Sequence, residues 1–242
     1  MNSSPIGSTN FGFSILELLI SMTIGIILSV GLIQITSYNK RMIEINGDAV
    51  FIQENARFAI SIIRDSIRLA GNTVGDGDDS NHDQACSDNF VPLSGCDGIA
   101  CDNNDTGDTI TIRHEATTDC LGQAVAVNPA VDTYYIKDNN LFCLGSGSVT
   151  PQALIEEIET MHFLYGVDTT GDLSINQYVK ANQVGTNKIL SVQVGILARS
   201  ANGVRYKDII TNYSLLDATA GPFQDKKRRL AVESTIAVRS CL

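Results

Sequence analysis

Residues 13–37 read FSILELLISMTIGIILSVGLIQITS, twenty-five positions with one charged side chain, Glu17. At about 1.5 Å per residue, a helix of this length crosses a hydrocarbon core of roughly 30 Å. The stretch therefore sits in a membrane at some stage. A cleaved secretory signal has a basic start, a shorter apolar run and a small-residue exit. Here the run is long, the preceding residues MNSSPIGSTNFG carry no charge, and Lys40 and Arg41 come only after it.

Glu17 decides what kind of membrane segment this is. An acid inside a membrane helix costs about 3 kcal/mol even on lenient insertion scales, so it needs a partner or a proton. No Lys or Arg lies within the run. Cleavage after Gly12 supplies a partner, because Phe13 then exposes a new α-amino group four residues from Glu17.

Beyond Tyr38 the polarity changes and the helical pattern continues. Apolar or small residues fall at Met42, Ile45, Ala49, Ile52, Ala56, Ala59, Ile63, Ile67 and Ala70, in steps of three and four. That is one apolar stripe on a helix. Arg41, Glu44, Asp48, Glu54, Arg57, Arg64, Asp65 and Arg68 take the other faces, and Gly71 is placed as a C-cap. The expected organisation is a leader (1–12), an apolar membrane helix (13–38), an amphipathic helix packing on a head (39–71) and a β-rich head (72–242). Gly25 and Gly31 interrupt the apolar half, as a site of bending or of close helix approach.

Composition excludes several classes. The 242 residues carry 17 Lys+Arg against 27 Asp+Glu, a net charge of −10, which disfavours a nucleic-acid binder. Apolar residues at 43% and charged at 18% provide a sizeable core. Six Cys without a CxxC pair read as disulfides and not as zinc ligands, which points to an oxidising compartment. His82, His114 and His162 lie in separate segments, and neither HExxH nor G-x-S-x-G occurs, so no catalytic set and no cofactor are expected.

In the head, Asn72–Ile112 holds nine Asp, no Lys or Arg, and Cys86, Cys96 and Cys101, an irregular region pinned by disulfides. Strand patterns follow at 109–114, 133–137, 141–144, 158–168, 188–199 and 229–239, with Asp138-Asn139-Asn140 as a hairpin turn. Residues 153–159 fit a strand or a helical turn. The expected fold is α+β, a long N-terminal helix laid on an antiparallel sheet. Asp168, Gly171, Asp172, Ser174 and Asn176 partly echo a calcium loop, as do Asp102, Asn104, Thr106 and Asp108. Neither has the downstream bidentate Glu, so both read as solvated turns and no metal is expected. Lys226, Lys227, Arg228 and Arg229 form the one basic cluster, read as a solvated turn before the last strand.

The run G-FSILELLISMTIGIILSVGL resembles the class III signal of type IV prepilins and pseudopilins. FIQENARFAISIIRDSIRLAG, DTITIRHE, TTDCLG, LFCLG, HFLYGVDTTGDLSINQYVKA, SVQVGILARS and STIAVRS resemble the body of PilW-type minor pilins. The resemblance implies a pilin-like fold and cleavage between Gly12 and Phe13 by a prepilin peptidase. It also implies methylation of Phe13 and a role for Glu17 in assembly, through the amine of a neighbouring subunit. The leader lacks the Lys or Arg usual in the family, so orientation rests on the motif and not on charge.

The implied function is a non-enzymatic minor pilin of type IV pilus assembly, in a tip complex that primes polymerisation. Its implied partners are other minor pilins, the major pilin and the peptidase, with no nucleic acid. The chain would sit single-pass in the bacterial inner membrane with a periplasmic head, then in the pilus. A J-type pseudopilin of type II secretion is the nearest neighbour of that reading; a tip adhesin or DNA-uptake module is the alternative of another class. The resemblance also suggests that Cys120 pairs with Cys143. Cys86, Cys96, Cys101 and Cys241 then allow three connectivities, of which a local bond within 86–101 plus a tie to Cys241 is favoured.

Overall fold

The computed structural model describes residues 14–71, 93–96, 107–203 and 207–239. Among the described residues one α-helix, α1 (Ile15–Leu69), precedes eleven strands, with a short 3-10 turn at Ala181–Gln183. The chain divides into two compact units between Asn46 and Gly47.

In the first unit the described residues form helix, and nearly all their side chains are exposed. Four of the hydroxyls that interrupt its apolar surface fold back onto the helix. Ser21 Oγ donates to the Glu17 carbonyl, Thr23 to Ile20, Ser29 to Gly25 and Thr36 to Ile33, at 2.8 to 3.0 Å. Polar groups satisfied within their own helix suit a surface meant for hydrocarbon.

In the second unit α1 turns Ile52, Ala56, Ala59, Ile60, Ile63, Ile67 and Ala70 into the core. The stripe expected from Met42 onward is buried only from Ile52; Met42 remains 39% exposed. Gly71 ends the helix in the left-handed region (φ 72°), where Gly avoids the Cβ clash, and its N–H donates to Arg113 O. Further polar ties are Ser66 Oγ to Tyr134 Oη (2.8 Å) and Asn55 Nδ2 to Glu156 O (2.9 Å).

The antiparallel β-structure expected for the head is present, as two sheets and a separate hairpin. β1 (Leu93–Cys96), β2 (Thr109–His114), β3 (Ala130–Lys137), β4 (Asn140–Gly145) and β5 (Gln152–Glu156) pair in sequence order. β6 (Ile158–Asp168), β7 (Gln177–Val179), β8 (Lys188–Arg199) and β11 (Arg229–Ala237) form a sheet of order β11-β8-β6-β7. β9 (Ile209–Leu215) and β10 (Ala218–Asp225) pair only with each other. Residues 153–156 resolve as strand; Glu157 at φ 58° breaks the chain before β6 starts a new sheet.

Alternation sets the faces. Ile110, Ile112, Tyr134, Ile136 and Leu141 from the first sheet meet Phe163, Tyr165, Val192, Val194 and Ile196 from the second around the helix. Both faces of β8 are buried because the β9–β10 hairpin covers the outer one. A Cβ on Gly195 would lie 3.2 Å from Leu215 Cδ2, and Asp217 at the hairpin tip pairs with Lys180 (2.9 Å). The sheets are stitched at Gly107, which bridges to Met161. There φ is 137° and a Cβ would fall 2.5 Å from Met161 O, so only Gly fits.

Candidate functional site

The side chains of the apolar half of α1 are exposed. Ile15, Leu19, Ile27 and Leu32 are each more than half exposed. The most apolar 18-residue window has a mean hydropathy of 2.3 and no buried residue, so this helix is long and apolar enough to cross a membrane. Glu17 sits in the first turn, where the unpaired N–H groups favour an acid. Gly12 and Phe13 lie outside the described residues. A Cβ on Gly25 or Gly31 would meet nothing within 4 Å, so contacts within this chain do not require either glycine.

The head holds its acids in internal structure. Asp168 Oδ1 accepts the N–H groups of Thr170 (2.9 Å) and Gly171 (2.7 Å), and Oδ2 that of Leu173 (2.8 Å). Burial opposes its ionisation, but the N–H groups of Gly171, Leu173 and Thr170 outweigh it and hold the carboxyl below its ordinary range. The Ser174 and Thr170 hydroxyls do the same for Asp172, and Asn176 Oδ1 accepts Thr169 N–H. The oxygens a calcium ion would need are already bonded to the loop itself. Asp108, the described end of the second acidic stretch, is buried and accepts Phe163 N–H at 2.8 Å, a strut between sheets. Asp102, Asn104 and Thr106 lie outside the described residues.

The described histidines sit beside buried acids. His162 Nδ1 is 3.5 Å from Asp108 Oδ1 and its Nε2 is 3.2 Å from Thr160 Oγ1. This hydroxyl–imidazole–carboxylate order resembles a nucleophile relay, but Thr160 is 4% exposed and lies beneath Gly107, so no substrate reaches it. His114 Nε2 is 3.8 Å from Asp132 Oδ2, while its buried Nδ1 has no hydrogen-bond partner. Burial pushes the Asp132 carboxyl up, against the Cys120 N–H and His114. His82 lies outside the described residues.

Cys120 and Cys143 form a disulfide, joining the loop after β2 to β4. Asp119 organises that loop by accepting Leu121 N–H, Gln123 N–H, Gly147 N–H and the Ser148 hydroxyl. Burial works against its charge, and these donors, Ser148 foremost, hold its carboxyl low. Asp132 lies near both sulfurs, but these are bonded to each other and offer no thiolate to a metal. Cys86, Cys101 and Cys241, and the Cys96 side chain, lie outside what the structure describes.

The basic cluster is not one surface patch. Lys226 and Arg228 are exposed and Lys227 Nζ lies 3.5 Å from Glu157. Arg229, read from sequence as part of a solvated turn, is buried. Its guanidinium donates to Glu159 (Nη2–Oε1 2.9 Å) and to Asp225 (Nη1–Oδ1 2.8 Å, Nη2–Oδ2 2.7 Å), and lies 3.8 Å over the Phe223 ring. Arg199 bonds Glu157 and approaches Glu159. Sequence reasoning missed this network because Glu159 and Arg229 are 70 residues apart. The available signal was a run of strand residues, RLAVESTIA, starting on a charge.

One long helix with an apolar half, joined to an antiparallel, disulfide-containing head, defines an α+β architecture. Residues 126–240 match the PilW family, type IV pilus-assembly protein W. That match spans 115 of the 242 residues, and over it the head is similar to PilW-type members of the type IV pilin superfamily. Among solved structures, a type IV-like pilin from Thermus thermophilus aligns with a TM-score of 0.47 and 11% identity, covering 78% of this chain and 97% of that one. No curated protein matches.

Proposed function

We propose that this protein is a minor pilin, cut between Gly12 and Phe13, methylated on Phe13, and held in the inner membrane until it joins a tip complex that primes polymerisation. The observation that carries this is an exposed apolar helix with one acid, Glu17, in its first turn, attached to a head whose own acids are internally bonded. The mechanism is physical. The membrane solvates the apolar half; assembly transfers that surface onto neighbouring helices, and Glu17 meets the amine of an adjacent subunit. An unpaired charge there is costly, so the pair selects one axial register. Other minor pilins and the major pilin are the partners, and no catalysis is assigned.

The test is Glu17→Val expressed in cells with a prepilin peptidase and pilus subunits. The variant is expected in the membrane, processed and folded, but absent from the complex of minor pilins. Recovery of Glu17→Val in that complex at the level of the unmodified chain would overturn the role.

A further inference from the structure

The dipeptide Asn-Gly occurs twice in the sequence, at Asn46–Gly47 and at Asn202–Gly203, and the fold holds the two pairs differently. Asn followed by Gly is prone to lose its side-chain amide. Gly puts no side chain in the way when its backbone nitrogen turns onto the preceding carboxamide, and it leaves the backbone free to make that turn. The nitrogen must reach the Asn Cγ, which requires a ψ at Asn far from the helical value of about −42°.

Asn46 lies inside α1, where the helix fixes its ψ and directs the Gly47 N–H at the carbonyl one turn back. Asn202 lies outside helix and strand, in the loop after β8, and both it and Gly203 are exposed. The bend is held from inside by the buried Ser200. Its Oγ donates to Asn202 O (2.6 Å) and accepts Arg228 N–H (3.0 Å), and its N–H donates to Arg228 O (2.8 Å). Among the described residues nothing bonds the Asn202 carboxamide or the Gly203 N–H. Lys226 stands over the pair: a Cβ on Gly203 would lie 3.0 Å from Lys226 Cβ, and both Lys226 and Arg228 are exposed cations. Positive charge nearby favours loss of the Gly203 amide proton, which makes that nitrogen nucleophilic.

We propose that Asn202 is a site of spontaneous deamidation in the folded chain and that Asn46 is not. The Gly203 nitrogen attacks Asn202 Cγ and the new C–N bond closes a succinimide. The carboxamide C–N bond breaks, and ammonia leaves with the Gly203 amide proton. Water then opens either imide carbonyl, leaving an aspartyl or an isoaspartyl residue at position 202. The product places one new carboxylate beside Lys226 and Arg228. Its isoaspartyl form also lengthens the backbone by a methylene at the bend that Ser200 holds. The modification does not depend on the chain being a pilin.

The test incubates the folded full chain, in detergent and mildly alkaline buffer, beside synthetic peptides spanning residues 42–50 and 198–207. Both sites are followed by peptide mapping and by labelling with an isoaspartyl methyltransferase. The two peptides are expected to react at similar rates, whereas in the folded chain position 202 should react at least about tenfold faster than position 46. Asn202→Gln, whose longer side chain closes the ring poorly, should remove the label from that loop and leave the melting temperature unchanged. Comparable rates at the two sites of the folded chain overturn the proposal. So does a position 202 that reacts about tenfold more slowly in the folded chain than in its peptide, or a label that stays in that loop in Asn202→Gln.

Discussion

At Arg229 a guanidinium with 3% side-chain exposure holds two carboxylates and covers an aromatic ring. Removing one member of a buried charge group strands the others, so Arg229→Ala is expected to destabilise the head by about 3–5 kcal/mol in chemical denaturation. Lys226→Ala and Arg228→Ala, both exposed, should each stay within about 0.5 kcal/mol. The Arg229 hydrogen bond, helped by the Lys227 N–H and opposed by burial, holds the Asp225 carboxyl down to about 2, from 3.8 ordinarily. A depressed folded value means the stabilisation is complete above pH 3.8 and is lost as pH falls toward 2. Thermal melts are expected to show a drop across that window that is smaller in Asp225→Asn. Asp225 is 38% exposed, so solvent screening keeps the effect modest. None of this was legible from the sequence. A run of four basic residues looks solvated unless one knows that β11 lies beside β8 and, through it, near Glu159.

Elements were more legible where one physical signal dominates. The apolar half of α1 announces itself by length, and β6 and β8 start and stop where expected because their apolar runs are bounded by turn residues and charges. The β9–β10 hairpin was missed. Its strands are half-exposed and therefore polar in pattern, and Pro222 reads as a breaker although it sits in a bulge between Ala220 and Phe223. On α1 the stripe predicts unequal costs. Ile63→Ala should lose about 2–5 kcal/mol at a fully buried position, and Phe58→Ala close to nothing. In the β3–β4 turn, Asp138 and Asn139 lie at φ 50° and 61°, so Asn139→Val is expected to cost about 1–2 kcal/mol, read from the urea midpoint.

Across the whole molecule, one chain is built for two solvents. Apolar surface is left open on the first unit, while the second buries its core and ties its loops with a disulfide and internally bonded acids. The Cys120–Cys143 bond spans 23 residues, and replacing both by Ala should lower head stability by about 3 kcal/mol. The melting temperature should be the same in calcium and in chelator, because the oxygens of Asp168 and Asp172 already accept from their own loop. The most direct measurement is the intact mass and N-terminal sequence of the full chain, expressed with and without a prepilin peptidase. With the peptidase, residues 1–12 should be lost and Phe13 should carry one extra methyl group; without it the chain should stay whole. A chain left uncut in both cases contradicts processing at Gly12 and leaves an ordinary membrane-anchored head.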